Sequence, residues 1–188
     1  MSVSRRYTSA DLEQMPYDEW NRYEIIDGEL HESSAPSWQH QYVVGRIVGP
    51  LDAWNDETGI GIVVSAPGVI FSPDNDVIPD LIWASRQRMQ TGTDAAGHLR
   101  IAPEIVVEIL SPGSANTRRD RELKLSLYDR QGVQEYWIVD WRQRSTQVYR
   151  RDAATLALAG ALSGDDAIES PLLPGFSLPV ARLWPPTL

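Results

Sequence analysis

The chain has 188 residues, 42% of them hydrophobic and 23% charged, a length and balance that fit one ordinary globular domain and exclude disorder and fibrous architectures. No run of roughly 18 apolar residues could span a membrane, and the opening MSVSRRYTSADLEQ lacks the apolar core of a signal peptide, so a cytoplasmic, non-membrane protein is expected. A net charge of −9 with no cysteine removes disulfides and thiolate metal sites, and sets the surface as a whole against nucleic acid.

In chain order, Thr8–Met15 reads as a short capped helix. Tyr23–Ile26 and Glu29–Glu32 flank Asp27-Gly28, a strong hairpin signal. Ser37 can cap a helix whose apolar residues Val43, Val44, Ile47, Val48 and Leu51 share one face, with Pro50 expected to kink or end it. Ile60–Ser65, Gly68–Phe71 and Val77–Trp83 read as strands, and 86–102 as an exposed loop able to cover a site.

Glu104–Leu110 is a β-branched run bounded by Pro103 and Ser111-Pro112-Gly113, as expected of a central strand buried on both faces. A helix is expected from Asn116 or Thr117 to Gln131, with Thr117 and Asp120 as a capping box, Leu123, Leu127 and Tyr128 as its inner stripe, and Gly132 as its stop. Strands follow at Glu135–Asp140 and Thr146–Arg150, the first parallel to the central strand. The core is expected over about 8–150. The Ala-, Gly- and Pro-rich remainder, 151–188, with islands at Ala167-Ile168 and Phe176–Val180, is expected to wrap that core or to contact a partner subunit.

A buried carboxylate in an apolar strand needs a cation, a hydrogen-bond network or a metal. Glu108 is such a group, and Asp80 opens a second apolar run. Two carboxylates on neighbouring strands form a hard oxygen site suited to Mg²⁺ or Mn²⁺. Lys124, the sole lysine of the chain, lies on the helix after the Glu108 strand and can hold an attacking water or a phosphate oxygen. Each residue also has a purely structural role open to it. Asp80 can cap a turn, Glu108 can pair with Arg118 or Arg119, and Lys124 can pair with Asp120 one helical turn away. Gln134, Tyr136 and Trp137 read as strand-end and packing residues, and Trp141 as a surface aromatic. Basic residues concentrate at 118–124 and 141–151, a local stripe able to face a phosphate backbone.

Four ordered blocks, Tyr23–Leu30, Val77–Leu81, Pro103–Pro112 and Lys124–Asp140, resemble the Uma-two family of the PD-(D/E)XK restriction-endonuclease-like superfamily. The resemblance implies an α/β (α+β) fold, a curved mixed sheet flanked by helices with an N-terminal hairpin. It implies Asp80 and Glu108 as metal ligands, Glu24 as an additional acid on the metal, and Lys124 as the catalytic lysine. The lysine of the simplest motif, two residues after the acid, is replaced by Leu110, and Lys124 stands in for it from the helix. His40 falls where relatives carry a histidine near the site. The expected function is metal-dependent hydrolysis of DNA by a homodimer. The alternatives are a non-catalytic nuclease-fold module acting through dimerisation or partner binding, and a hydrolase of another phosphate ester.

Overall fold

The computed structural model describes residues 5–16 and 20–187. Helix α1 (Ser9–Glu13) is closed by a capping box between Thr8 and Asp11. Strands β1 (Asn21–Ile26) and β2 (Glu29–Ser34) form the expected hairpin. Asp27 and Gly28 both have positive φ, 51° and 76°, the backbone a tight two-residue turn requires.

Helix α2 (Trp38–Thr58) is capped by Ser37, whose Oγ accepts from the His40 N–H, and passes straight through Pro50 to a left-handed Gly59. Val43, Ile47, Leu51 and Trp54 are all buried. At roughly 1.5–3 kcal/mol per buried side chain, their face outweighs the ~3 kcal/mol that an interior proline costs.

Strands β3 (Gly61–Ser65), β4 (Val69–Ser72), β5 (Asn75–Val77) and β6 (Leu81–Ser85) follow. The single strand expected over Val77–Trp83 is therefore two, because the chain changes sheet at Ile78-Pro79-Asp80. β5 belongs to a four-stranded sheet of order β2-β1-β5-β4, and β6 to a six-stranded sheet that also holds β7 (Ile105–Ile109), β8 (Glu135–Asp140), β9 (Ser145–Asp152) and β10 (Thr155–Leu162), in the order β10-β9-β8-β7-β6-β3. Pro79 has no N–H to give to a ladder, so the crossing falls where a hydrogen bond is already missing. The segment expected to be an open loop over 86–102 contains helix α3 (Arg86–Gly92), capped by Ser85, and its Leu99 docks on β4 through the Ile70 N–H.

β7 (Ile105–Ile109) is buried along its whole length and runs parallel to β8 (Glu135–Asp140). The other pairings of that sheet are antiparallel, so it is mixed. Between β7 and β8 lie α4 (Ser114–Arg118), a π-helical turn at Arg119–Leu123, and α5 (Lys124–Gln131), which ends at a left-handed Gly132. The helical run thus starts at Ser114, earlier than expected, and Asp120 caps nothing: its carboxylate is buried.

The period of two along β6, β7 and β8 sorts side chains onto two faces. Leu81, Trp83, Ile105, Val107, Ile109, Trp137 and Val139 meet α2. Ile82, Val106, Tyr136 and Ile138 meet Leu127 and Tyr128 of α5. Beyond β9 (Ser145–Asp152) and β10 (Thr155–Leu162), the short pair β11 (Ala167–Glu169) and β12 (Ser177–Pro179) brings Ile168, Leu173, Phe176, Leu178, Val180 and Leu183 into the α2 cluster. Residues past 150 are thus part of the core. Trp141, expected at the surface, packs partly buried against the same cluster. Among the described residues no helix is long and apolar enough to cross a membrane.

Candidate active site

Where the two sheets meet, four elements deliver charged side chains to one cleft. Glu24 comes from β1, Asp80 from the residue preceding β6, Glu108 from β7, and Asp120 with Arg119 and Lys124 from the π turn and the start of α5; all line the same space, with His40 of α2. Every residue that the sequence marked as a candidate is therefore in one place. The segment 86–102, expected to cover a site, supplies none of the lining.

Alternation explains why Glu108 points here. It shares the face of Val106, which α5 covers, so its side chain is carried to Lys124 and Tyr128 instead of to α2. Lys124 Nζ lies 2.8 Å from Glu24 Oε1 and 2.9 Å from Glu108 Oε1, and only 1% of the residue is exposed. Tyr128 donates its hydroxyl to the same Glu108 oxygen at 2.8 Å. Glu24 also accepts the Ile78 N–H at 2.8 Å, which ties the carboxylate to the sheet crossing. Asp80 Oδ2 accepts from the Ile109 N–H at 2.8 Å and lies 3.0 Å from His40 Nε2. A carboxylate oxygen accepts, so Nε2 carries the proton. His40 Nδ1 is then left buried with no hydrogen-bond partner among the described residues.

The structural pairings weighed for these residues resolve individually. Arg118 is exposed and pairs with Glu122 at 3.1 Å. Arg119 reaches Asp120 at 3.1 Å and Glu24 at 3.8 Å. Asp120 stands 4.0 Å from Lys124, farther than either glutamate.

The charges act strongly on one another. Burial pushes the Glu108 carboxyl up to about 8; Lys124 opposes this, while the charges of Asp80, Asp120 and Glu24 reinforce it. Burial also pushes Asp80 up, but the His40 hydrogen bond and charge, the Ile109 N–H and Lys124 overcome it and hold Asp80 below the usual range. Burial opposes the charge on Lys124, yet Glu108, Glu24 and Asp120 hold the ammonium protonated well beyond an ordinary lysine.

The Uma2 family model, described as "Putative restriction endonuclease", matches residues 9–181. The chain belongs to the Uma2 family. The match runs through the tail, beyond the four blocks that carried the resemblance. A crystal structure described as "a putative nuclease belonging to DUF820 from Anabaena variabilis" superposes with a TM-score of 0.75 at 19% identity, covering 94% of this chain and 97% of that one, and it shares the fold. No curated protein matches the chain.

Three residues of this Uma2 site were not marked by the sequence as candidates: Arg119 and Asp120, which line the cleft, and Tyr128, which holds Glu108 from behind it. Tyr136 is the packing residue the sequence suggests. Tyr136, fully buried, donates to the Asp120 carbonyl at 2.8 Å and so fixes the π turn from below. A π turn inserted in an α-helix often marks a functional site. Here it brings Asp120 and Lys124 together to the buried side.

Among the described residues no three His, Asp or Glu side chains stand as a ready-made metal cage, and Lys124 binds an oxygen of both Glu24 and Glu108. The donor chemistry nevertheless fits a small divalent cation. Hard carboxylate oxygens dominate, and the open space is about 30 Å³, above the ~10–15 Å³ that one water needs. Four carboxylates also crowd round Lys124 and Arg119, with Arg22 the one further cation on the lining.

The raised Glu108 carboxyl has a consequence for stability. Its ordinary value is 4.5 and its folded value about 8, so between these the folded state binds the proton more tightly than the unfolded chain. That stabilisation is complete below about 4.5 and is lost as pH rises through about 8. In chelator-containing buffer, urea unfolding should show wild-type stability falling by up to about 1.4 kcal/mol per pH unit across that window. Glu108→Gln, which mimics the protonated acid, should flatten the slope. Parallel slopes for the two proteins would remove Glu108 as its source.

Proposed function

We propose that the chain is a metal-dependent phosphodiesterase acting on DNA. The observation that carries this reading is the meeting of Glu24, Asp80, Glu108 and the buried sole lysine Lys124 at one sheet junction, in a chain whose family model is described as "Putative restriction endonuclease". Asp80 and Glu108 would hold Mg²⁺ or Mn²⁺, with Glu24 in support. When bound, such an ion supplies Lewis-acid stabilisation of charge on the phosphoryl oxygens.

The remaining work falls to the chain. Lys124 keeps its proton at Nζ and offers positive charge to orient the attacking water against the phosphate. Tyr128 and Glu24 position it, the first by fixing Glu108 and the second by direct contact. His40 is a positioning residue behind Asp80, aiming the carboxylate through Nε2. Arg119, held by Asp120 and Glu24, adds a second cation for a phosphate oxygen. The deciding experiment is cleavage of supercoiled plasmid and of single-stranded DNA at low salt with Mg²⁺ or Mn²⁺. Metal-dependent cutting supports the reading. A folded protein that binds the ion and cuts neither substrate sinks it, and points to another phosphate ester or to a non-catalytic module.

Dimerisation is part of the proposal, because cutting both strands of a duplex takes two sites. Its support is β10, the outer strand of the six-stranded sheet, whose eight residues TLALAGAL carry no charge, with Leu158 53% exposed. An uncharged edge is a template for pairing with a second copy. Light scattering should give a dimer for wild type and a monomer for Leu158→Lys; a wild-type monomer at micromolar concentration would end the idea.

A further inference from the structure

A second cavity, of about 580 Å³, lies beside the first turn of α2 and is lined by Trp38, Trp141, Arg142, Arg144, Pro185 and Pro186. Its size is that of ordinary ligand clefts, roughly 300–1,000 Å³. Trp38 is 47% exposed, a high value for the largest apolar side chain. Both indoles line the same space, and Trp141 Nε1 is buried with no partner among the described residues.

The cations here are unusual for this acidic chain. Of the basic stretch 141–151, Arg150 is taken by Glu135 at 3.0 Å, and Arg151 by Asp129 and the carbonyls of Asp129, Val133 and Ala154. Among the described residues the Arg142 guanidinium has only a loose contact with Asp140, at 3.5 Å. Arg144 is exposed, has no side-chain partner among the described residues, and is carried on a left-handed turn with φ 50°, a backbone that a branched or long side chain rarely adopts. The two arginines of that stretch least engaged in structural pairing, Arg142 and Arg144, are therefore the two that line the indole cavity.

The cavity adjoins the carboxylate cleft across a single helical turn. Pro36 and His40 line the cleft, while Trp38 and Gln39 line the cavity. The first turn of α2 carries no acidic residue, so although Ser37 caps its His40 N–H, no side-chain negative charge there opposes an incoming phosphate.

We propose that this cavity is a stacking subsite for an unpaired nucleobase, with Arg142 and Arg144 on the adjoining phosphates. Aromatic faces beside guanidinium groups are the chemistry by which single strands are held without sequence preference. The substrate class is then DNA with unpaired bases, in single strands or in frayed and opened stretches of a duplex, and such a strand with a phosphate in the cleft would extend a nearby nucleotide toward Trp38. The inference rests on the phosphodiesterase reading of the cleft.

The test is fluorescence anisotropy of the full chain with a labelled single-stranded oligodeoxythymidylate in EDTA, where nothing is cut. Trp38→Ala should weaken binding about 5- to 150-fold at unchanged melting temperature, and Trp38→Phe should restore most of it. Arg144→Ala should lower the slope of log affinity against log salt by about 0.7. An abasic strand should bind wild type as weakly as the thymidylate binds Trp38→Ala. Equal affinities of wild type and Trp38→Ala for the thymidylate, or of wild type for the abasic and thymidylate strands, overturn the subsite. Cleavage assayed separately keeps the two ideas apart: a protein that cuts DNA without a Trp38 effect loses the subsite alone, and one that binds through Trp38 but never cuts loses the hydrolase alone.

Discussion

Asp80→Ala should abolish metal-dependent cleavage, with a loss of about 10³-fold or more in rate. Altering a group that merely supports a metal ligand costs about 10–100-fold, and Asp80 would be the ligand itself. It is the carboxylate best prepared to stay ionised, since His40 and the Ile109 N–H both favour its charged form. Its removal should also abolish the rise in melting temperature that Mn²⁺ gives the wild type. His40→Ala should fall short of this, lowering the rate about 10- to 100-fold while some metal-induced shift remains. Should Asp80→Ala cut plasmid at the wild-type rate, the metal assignment fails whatever the behaviour of the other carboxylates.

The parts of this site that were legible in the sequence were those that defied their surroundings. Glu108 interrupts an apolar strand, Asp80 opens another, and Lys124 is the chain's sole lysine; each raised a question that only a partner answers. Asp120 did not stand out, because three residues after Thr117 it has the spacing of a capping box, and only the π turn rephases the helix so that it points inward. Tyr128 read correctly as an inward residue, but a hydroxyl aimed at a carboxylate leaves no trace in periodicity. The break at Pro79 was masked by apolar residues on both sides of it. For the tail, short islands such as Ala167-Ile168 have no local period, and they are buried only because α2 is already there to receive them. Trp141 likewise depends on a distant neighbour: its position after β8 looks exposed until the chain's end folds back beside it.

Lys124→Met should be the most destabilising single change in the site. Methionine fills a similar volume but leaves Glu24 and Glu108 buried without the ammonium that bridges them at 2.8 and 2.9 Å. Removing one partner of a buried ion pair costs about 3–5 kcal/mol, which in a chain of this size is roughly 6–20 °C in melting temperature. The loss should be larger at pH 8 than at pH 5.5, because the stranded Glu108 escapes its penalty by taking a proton, and the lower pH supplies it. Two rescues follow from the same electrostatics. Mn²⁺ should raise the melting temperature of Lys124→Met more than that of wild type, since the ion replaces the missing charge. Adding Glu108→Gln should recover most of the lost stability without metal, giving a favourable coupling between the two substitutions. A Lys124→Met protein as stable as wild type at pH 8 in chelator would mean that the carboxylates do not depend on the ammonium, and the account of the cleft as a charge-balanced site would fall.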